Sequence, residues 1–430
     1  MTVTNQQIDN ILSELLELHP KRIDLSLGRI INLLKKVNEP QSKIKNIIHI
    51  AGTNGKYSTL RYIQEILRYN NKSTNAYISP HLIRFNERFE LKDKQVDNET
   101  LLNTLIDIKD KNNNNPITFF EITSAAFFEL ASKHEADYTL LEVGLGGRLD
   151  SSNVINPLIS VISSISLDHQ DFLGDKIEQI AFEKSGIIKK NVPVVIGYQP
   201  YKEAEQILID QAQYLECPTF IYGCDFFIYE GNNQLIYEDP DHRMKFNKLK
   251  SQNGKFQIKN LATAIATCLQ LNKVEVKNFL KNNLHQKVYF PGRFEKLENN
   301  KLNKLISDQN ELYLDGSHNQ DGSKNINDAL KELPEKKLCL ILGMINTKDP
   351  LRYVSEYDNL ELLTTITIPD EENSYSANEL KNIFSNNNVK NTKQSDSIEE
   401  AVKSTAEAFP DARILICGSL YLAGKVLELS

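Results

Sequence analysis

The sequence lacks several features that mark other classes of protein. No apolar run reaches about 18 residues, and the N-terminus has no basic segment followed by an apolar one, so neither a membrane span nor a secretory signal is expected. The five cysteines are scattered and odd in number, which argues against a disulfide framework and a zinc site. The net charge of −7 argues against nucleic acid as a partner, because a phosphate backbone requires a basic surface. These absences predict a soluble protein of the reducing cytoplasm.

The most informative stretch of the sequence is HIAGTNGKYST at residues 49–59. The apolar run Ile47–Ile50 predicts a buried strand, Gly52 and Gly55 end it, and residues 60–69 have helical spacing. In such a loop, backbone N–H groups and the helix N-terminus face the phosphates of a nucleotide, and a lysine adds a full positive charge. The alternative is an ordinary strand-to-helix turn. The candidate phosphate contacts are Asn54, Gly55, Lys56, Ser58 and Thr59.

Strands alternate with helices along the chain, which favours an α/β fold with mostly parallel sheets covered on both faces. We predict a P-loop mononucleotide-binding domain at 1–290, a hinge at 285–295, and a C-terminal Rossmann-like α/β domain at 296–430. A β-rich insertion with a hairpin is expected within 219–250. The second domain has no G-x-G-x-x-G motif, so a dinucleotide is not its expected ligand. Helical spacing is found at 5–19, 26–37, 119–132, 257–271 and 274–284.

Polar side chains follow directly after several of the expected strands, namely Ser79, Glu142, and Asp168 with His169. Because ligands bind at the carboxyl ends of parallel strands, we expect these side chains to meet the glycine loop in one crevice. Glu142 is a candidate Mg²⁺ ligand, since Mg²⁺ prefers oxygen donors and bridges phosphates. The alternative for Glu142 is a helix cap or a salt bridge. His169 is either a metal ligand or a structural hydrogen-bonding group.

Further candidates lie at Lys184 and in the second domain. Lys184 stands in an otherwise apolar helical turn, where a lysine is a surface residue unless it faces the metal cluster. Asp315, His318 and Asn319 follow an expected strand, so they form either a site or a polar turn. Ser419 follows the last expected strand and opens a helix, where backbone N–H groups could hold a carboxylate.

Taken together, these segments resemble the folylpolyglutamate synthase/dihydrofolate synthase family, within the Mur-ligase-like ATP-dependent amide ligases. The matching segments run in the family's order and cover nearly the whole chain. They are HIAGTNGK at 49–56, SPHLIRFNERFE at 79–90, FFE at 119–121, LLEVGLGGRLDSSNVI at 140–155, SLDHQDFLGD at 166–175, EKSGIIK at 183–189, GRFE at 292–295, DGSHNQDG at 315–322 and CGSLYLAG at 417–424.

The resemblance implies the chemistry. ATP would phosphorylate a substrate carboxylate to an acyl phosphate, and the amine of L-glutamate would attack it to give an amide, ADP and phosphate. The implied acceptors are dihydropteroate and the γ-carboxylate of folate polyglutamates, with one or two Mg²⁺ ions, possible K⁺ dependence and a monomeric enzyme. The alternatives are a folylpolyglutamate synthase alone, a non-catalytic nucleotide- and folate-binding paralogue, or a Mur-type ligase of a peptidoglycan precursor.

The resemblance also implies a role for each matching residue. The implied nucleotide contacts are Asn54, Gly55, Lys56, Ser58, Thr59, Asn260, Arg293 and Asp315. The implied metal ligands are Ser79 and Glu142 for one ion, His169 for a second, and Lys184 as a carbamylated, anionic lysine. The implied catalytic residues are Lys184, His318 and Asp315. The implied glutamate-side contacts are Arg88, His318 and Ser419. The implied pteroate-side contacts, beside the loop at 18–25, are Ser26, Leu27, Gly28, Arg29, Thr118, Phe120, Glu121, Leu149, Asp150 and Ser151.

The sequence departs from the family pattern at a few positions. Tyr57 stands where the family usually has glycine, so its side chain must point away from the phosphates if ATP is to bind. Gly28 stands where many members have glutamate, which counts against dihydropteroate as a substrate. Ser317 and Gln320 replace small residues and proline around His318, and little effect is expected from them.

Overall fold

The computed structural model describes residues 3–21, 23–249 and 254–429. Arg22, in the predicted pteroate-side loop, lies outside the described residues. The chain divides into two compact units. The first contains the chain up to Lys248 together with Lys259–Val288, and the second contains Leu249–Ile258 together with the chain from Tyr289 onward.

The first unit is built on an eight-stranded sheet. Its strands are β1 Ile47–Ala51, β2 Thr74–Tyr77, β3 Phe89–Leu91, β4 Lys94–Gln95, β5 Tyr138–Glu142, β6 Ile159–Ile162, β7 Val194–Ile196 and β8 Thr219–Ile221. They lie in the order β4-β3-β2-β5-β1-β6-β7-β8. The pairs from β2 to β8 are parallel, and β3 and β4 add an antiparallel edge. The predicted mostly parallel α/β fold is therefore confirmed.

The centre of this sheet explains the apolar runs of the sequence. All of β1 is buried, as are β5 and β6 on either side of it, because helices cover both faces of a parallel sheet. Ile50 pairs with Glu142 across the β1–β5 ladder, and Ala51 pairs with Ile162 across the β1–β6 ladder. The glycine loop, Glu142 and the chain after β6 therefore leave the sheet at one edge.

Helices of the first unit pack on both faces of the sheet. They are α1 Asn5–Leu16, α2 Gly28–Lys36, α3 Lys56–Tyr69, α4 Asn98–Asn112, α5 Phe119–Lys133, α6 Gln170–Leu173, α7 Ile177–Ser185, α8 Lys202–Tyr214, α10 Lys277–Lys281 and, from Lys259 onward, α9 Lys255–Leu269. One core joins α1, α2, α4 and α5, and another joins α7 and α8. The described part of the chain contains no helix long and apolar enough to span a membrane.

Most of the predicted helices of this unit are confirmed, with differences at their ends. The pattern at 274–284 forms only the short α10. Sequence reasoning missed α4 and α8; for α4, a start signal existed in Asp97, whose side chain accepts from the N–H of Thr100. The predicted hairpin within 219–250 is confirmed and gains a third strand, giving a sheet of β9 Phe227–Gly231, β10 Gln234–Glu238 and β11 Arg243–Asn247.

The second unit is a smaller α/β sheet. Its strands are β12 Glu295–Lys296, β13 Glu311–Leu314, β14 Leu338–Leu342, β15 Leu360–Thr365, β16 Thr392–Gln394 and β17 Arg413–Cys417, in the order β12-β13-β17-β14-β15-β16. All neighbours are parallel except β12 with β13. The helices are α11 Gln320–Lys331, α12 Pro350–Val354, α13 Ala377–Asn386, α14 Ile398–Ala408 and α15 Leu420–Glu428. Phe256 packs against this unit's core, which explains why residues 249–258 group with it rather than with the surrounding chain.

A buried ion pair crosses two strands of this second sheet. Glu311 and Arg413 are paired in register on β13 and β17, and the Arg413 Nε and Nη2 atoms donate to Glu311 Oε2 at 2.8 and 2.7 Å. The Arg413 side chain is only 4% exposed. Removing the carboxylate charge would leave this guanidinium buried beside a neutral amide.

We therefore predict that Glu311→Gln lowers the free energy of unfolding by about 2 kcal/mol. The control is Glu135→Gln, which breaks a pair with Lys45 whose side chains are 79% and 74% exposed, and should change stability by less than about 0.5 kcal/mol. Urea denaturation measures both. Equal losses in the two variants would contradict the assignment of a buried, stabilising pair.

Candidate active site

The loop after β1 has the backbone geometry that the glycine pattern predicts. Gly52 has a φ of 146° and Gly55 a φ of 88°, both in the region that favours glycine. A Cβ at Gly52 would lie 1.9 Å from Ser163 Oγ, and one at Gly55 would lie 2.3 Å from Asn260 Oδ1. The predicted nucleotide contact Asn260 therefore lies directly beside the loop. Neither glycine can be replaced without displacing a neighbour.

Two lysine ammonium groups meet at this loop. Lys56 Nζ donates to the Gly52 carbonyl oxygen at 3.2 Å, and Lys184 Nζ donates to the same oxygen at 2.9 Å. Lys184 is 5% exposed. Its burial and the nearby charge of Lys56 lower the pKa of Lys184 to about 7, while Asp168 and Asp150 oppose the shift. The structure thus brings together two residues that are far apart in the sequence, at a point where an anionic ligand would relieve their repulsion.

Glu142 ends β5, which is the neighbour of β1, and Ser79 lies just after β2, the next strand along the sheet. The backbone N–H of Ser79 donates to Glu142 Oε2 at 3.3 Å, and the buried Ser79 Oγ has no hydrogen-bond partner in the part of the chain that the structure describes. A carboxylate beside an unsatisfied hydroxyl oxygen is a hard-oxygen donor set, so the residues present fit Mg²⁺. Within the described residues, no three or more His, Cys, Asp or Glu side chains form a metal-binding group. A metal ion here would therefore require the hydroxyl and further oxygen ligands.

His169 directly precedes α6, as its N-cap residue, and is partly exposed. Its backbone is left-handed, with a φ of 51°, and its side chain is 41% exposed. The backbone N–H of His169 donates to Asp168 Oδ1 at 2.8 Å, and His169 Nε2 lies 4.0 Å from Asp168 Oδ2. Asp168 thus fixes the turn on which the imidazole stands.

The end of α7, which carries Lys184, is fixed by residues that sequence reasoning missed. The backbone N–H of Arg148 donates to the Glu183 carbonyl oxygen at 2.7 Å, and Arg148 Nη2 donates to Glu183 Oε1 at 2.8 Å. Asn153 Nδ2 donates to the carbonyl oxygens of Arg148 and Gly186, both at 3.0 Å. These bonds satisfy carbonyl groups that a helix end leaves free and set the direction of Lys184. No local sequence pattern reveals them.

The carboxylate of Asp150, a residue predicted on the pteroate side, accepts four hydrogen bonds from nearby residues of the same loop. Asp150 Oδ2 accepts from the N–H groups of Gly144 and Leu145 at 3.1 and 2.9 Å. Asp150 Oδ1 accepts from the Ser152 N–H at 2.9 Å and from Ser152 Oγ at 2.5 Å. Ser152 Oγ also lies 2.9 Å from Nε2 of the buried His49. Asp150 therefore shapes the loop that follows Glu142, and a substrate contact for it stays a prediction.

The other pteroate-side candidates form a separate cluster at the start of α5. Glu121 Oε2 accepts from Arg29 Nε at 3.0 Å and from the Thr118 N–H and Oγ1 at 2.8 and 2.7 Å. Arg29 Nη1 also donates to Asp24 Oδ2 at 2.8 Å. Glu121 Oε1 is buried and has no hydrogen-bond partner among the described residues. The cluster thus offers an acceptor oxygen to a ligand.

The remaining members of this side lie around that cluster. Gly28 is exposed, and a Cβ there would meet only Ser26 Oγ, at 3.8 Å. Leu27 precedes α2 directly, and Leu149 is half-buried. The ring of Phe120 lies so close to Gly144 that a Cβ there would be 2.4 Å from it. Ser151 Oγ lies 2.7 Å from Ser124 Oγ.

The two remaining positions of interest in the first unit are Arg88 and Tyr57. Arg88 Nε donates to His81 Nδ1 at 2.9 Å, and the guanidinium lies 5.1 Å from the centre of the Phe85 ring. Tyr57 packs against Arg61, whose guanidinium carbon lies 5.0 Å from the ring centre. Since Arg61 is one turn further along α3, the Tyr57 ring extends along the helix rather than back over the loop.

The candidates of the second unit form their own cluster. Asp315, directly after β13, accepts from the Phe294 N–H at 2.8 Å and the Ser317 N–H at 2.7 Å. Arg293 directly precedes Phe294, and its positive charge opposes the rise that burial causes in the pKa of Asp315. His318 Nδ1 lies 3.3 Å from the Gly316 carbonyl oxygen. Ser419 Oγ accepts from the Tyr421 N–H at 3.1 Å, so this hydroxyl caps α15.

Comparison with known proteins defines the class. Residues 50–268 match the Mur ligase middle domain, and residues 292–420 match the Mur ligase glutamate ligase domain. These domains, together with a glycine loop bearing Lys56, define the class of ATP-dependent ligases, to which this chain belongs.

Individual relatives narrow the class. The dihydrofolate synthase/folylpolyglutamate synthase of Haemophilus influenzae is 33% identical over 79% of this chain and 77% of its own. The protein of the same name from Bacillus subtilis is 29% identical over 93% of this chain and 94% of its own. A solved structure described as E. coli FolC in complex with DHPP and ADP has a TM-score of 0.83 at 25% identity, over 98% of this chain and 97% of that one. The chain belongs to the dihydrofolate synthase/folylpolyglutamate synthase family.

The buried His49 generates a prediction on acid stability. Burial and the charge of Lys189 lower the pKa of His49 to about 3, so the folded chain keeps this ring neutral while the unfolded chain protonates it below about pH 6.5. Stability from this group is therefore present above pH 6.5 and is lost as the pH falls, by about 1.4 kcal/mol per pH unit.

The test compares the wild type with His49→Gln, which cannot titrate. The difference in unfolding free energy between them should shrink by about 1.4 kcal/mol per pH unit between pH 6.5 and pH 5. Urea denaturation across this range measures it. A difference that stays constant with pH would show that His49 is not held neutral.

Proposed function

We propose that this chain joins L-glutamate to the carboxylate of dihydropteroate and to that of reduced folates, using ATP and an acyl-phosphate intermediate. The observation that supports this most directly is the meeting of Lys56 and Lys184 on the Gly52 carbonyl oxygen. A lysine cation beside a glycine loop suits phosphoryl transfer, which depends mainly on positioning and on neutralising charge. The proposal also rests on the relatives named for both activities.

The residues of the first unit would bind and activate the phosphates. The N–H groups at the start of α3 and the Lys56 ammonium would hold the phosphate oxygens, with Ser58, Thr59 and Asn260 at the loop. Ser79 and Glu142 would hold a Mg²⁺ ion, with His169 for a second one. Such an ion neutralises charge on the transferring phosphoryl group when bound.

Lys184 is proposed to act as a carbamate. Because its pKa is lowered to about 7, a large fraction of the amine is neutral near pH 7 and has a lone pair available. The nitrogen would attack the carbon of CO₂ and lose a proton to water, which leaves an anionic carbamate. That change would turn the repulsion between Lys184 and Lys56 into attraction and supply oxygen atoms toward a metal ion.

The pteroate end of the substrate would lie against the cluster around Glu121. Glu121 Oε1 is a buried acceptor, Arg29 neutralises the other carboxylate oxygen, and the Phe120 ring lies beside Gly144. Gly28, which stands where many family members have glutamate, is exposed, so the buried contacts of this cluster do not lack a side chain there. These observations favour dihydropteroate as a substrate as well as folates. The folylpolyglutamate synthase of Lacticaseibacillus casei, 29% identical, represents the alternative with folates alone.

On the glutamate side, Arg88, His318 and Ser419 would contact the incoming amino acid, while Arg293 and Asp315 would contact the nucleotide. The direction of the Tyr57 ring along α3 removes the main argument for a non-catalytic paralogue. The relatives named for folate enzymes count against a peptidoglycan ligase. A monomeric state, K⁺ dependence and a cytoplasmic location stay predictions from the sequence.

The experiment is a product assay with ATP, Mg²⁺, L-glutamate and either dihydropteroate or tetrahydrofolate. We expect a glutamylated product and phosphate release with each acceptor, both dependent on glutamate. Lys56→Met should lower the rate by about 100-fold or more, because the phosphoryl group loses a positive charge. Lys190→Met, which removes an exposed lysine, is the control and should leave the rate unchanged. Product with tetrahydrofolate alone would restrict the activity to folates, and no product with either would refute the proposal.

A further inference from the structure

Beneath the turn that carries Asp315 lies a chain of hydroxyl groups. Tyr357 OH donates to Tyr353 OH at 3.1 Å, and Tyr353 OH lies 3.0 Å from Ser317 Oγ. Both tyrosines are buried on the second unit's core, on and just after α12. The Cys417 thiol faces the same two hydroxyl groups. A buried hydroxyl requires a hydrogen-bond partner, so the loss of one of these groups would leave its neighbour unsatisfied.

The chain reaches Asp315 through Ser317. The Ser317 hydroxyl lies 3.0 Å from Tyr353 OH, and the Ser317 N–H donates to Asp315 Oδ1 at 2.7 Å. A hydrogen bond to a carboxylate is roughly twice as strong as one between neutral groups. The contacts of Tyr353 and Tyr357 therefore hold the residue that holds Asp315.

Asp315 connects this chain to the backbone around Arg293. Its second oxygen accepts from the Phe294 N–H at 2.8 Å, and the neighbouring Gly316 N–H donates to the Gly292 carbonyl oxygen at 2.9 Å. Phe294 has a left-handed φ of 51°, a conformation that costs free energy for a residue with a bulky side chain. The segment 292–294 therefore keeps its shape because Asp315 and Gly316 hold it from both sides.

We propose that Ser317, Tyr353 and Tyr357 are positioning residues that orient Asp315 and, through it, the segment bearing Arg293. The proposal rests on the proposed function only in giving Arg293 a nucleotide to contact. It assigns a role to Ser317, which was expected to have little effect. A small residue without a hydroxyl at position 317 would leave the buried Tyr353 hydroxyl without this partner and would free the backbone whose N–H holds Asp315.

The same geometry makes the arrangement sensitive to pH. Burial raises the pKa of Asp315, and the Ser317 hydroxyl and N–H, the Arg293 charge and the Phe294 N–H oppose that rise. The titratable groups of the core that face it are Tyr353, Tyr357 and Cys417, which burial keeps neutral. Protonation of Asp315 leaves it with one acceptor oxygen fewer. Loss of the Ser317 hydroxyl would raise the pKa of Asp315 further, so the hydrogen bond to the Phe294 N–H should weaken at a higher pH than in the wild type.

The experiment measures amide hydrogen exchange at Phe294, with Leu340 of β14 as the reference for global stability. The variants are Ser317→Ala, Tyr353→Phe and Tyr357→Phe, with Ser317→Thr to restore the hydroxyl. Ser355→Ala is the control, because its hydroxyl donates to the Arg352 carbonyl oxygen near the same helix and does not take part in the Ser317–Tyr353–Tyr357 contacts. Each protein is measured between pH 5 and pH 8, and the wild type is assayed for ligation in parallel.

We expect Ser317→Ala and Tyr353→Phe to lower protection of Phe294 relative to Leu340 by about 3- to 10-fold. Tyr357→Phe should have a smaller effect, and Ser317→Thr and Ser355→Ala should resemble the wild type. In Ser317→Ala the acid-induced loss of protection should move to higher pH by about half a unit to one unit. If protection of Phe294 relative to Leu340 is unchanged in both Ser317→Ala and Tyr353→Phe, the proposal is overturned. A wild type that forms no product refutes the proposed function, whereas the exchange data still decide the positioning role.

Discussion

The carbonyl oxygen of Gly52 is the point on which the first unit's candidate site depends. It accepts hydrogen bonds from two ammonium groups, those of Lys56 and Lys184. Lys56 is the first residue of α3 and Lys184 lies in the last turn of α7, so side chains from the ends of two helices meet at the same backbone oxygen. The repulsion between the two cations is tolerated only because the surrounding chain holds each lysine in place, and a phosphate group is the kind of ligand that would relieve it.

The surrounding contacts explain how that arrangement persists. Arg148 and Asn153 satisfy the free carbonyl groups at the end of α7, and Asp150 holds the loop between Glu142 and Arg148. Ser152 links Asp150 to His49 on the central strand. The loop after β5 therefore connects the candidate metal ligand Glu142 to the helix that carries Lys184. These side chains need not contact a substrate, but their hydrogen bonds set the positions of Glu142 and Lys184.

Sequence reasoning predicted the parts of this site that depend on local pattern. The strand, glycine loop and helix around Lys56 were recognisable because spacing and residue type decide them, and Glu142 followed from its place at a strand end. The contacts of Arg148 with Glu183 and of His49 with Ser152 could not be predicted, since they join segments far apart in the chain. Ser419 was expected as a ligand contact, but its hydroxyl also caps α15, which the local pattern allowed equally well.

The most direct test of the central claim is the binding of a non-hydrolysable ATP analogue, measured by calorimetry for Lys56→Met, Lys184→Met and the double variant. If both lysines serve one site, Lys56 as a cation at the phosphates and Lys184 as the proposed carbamate toward a metal ion, each single change should weaken binding by about 10-fold or more. The double variant should then lose less than the two effects combined, because the residues share a partner. Dissociation constants equal to that of the wild type in both single variants would contradict the account.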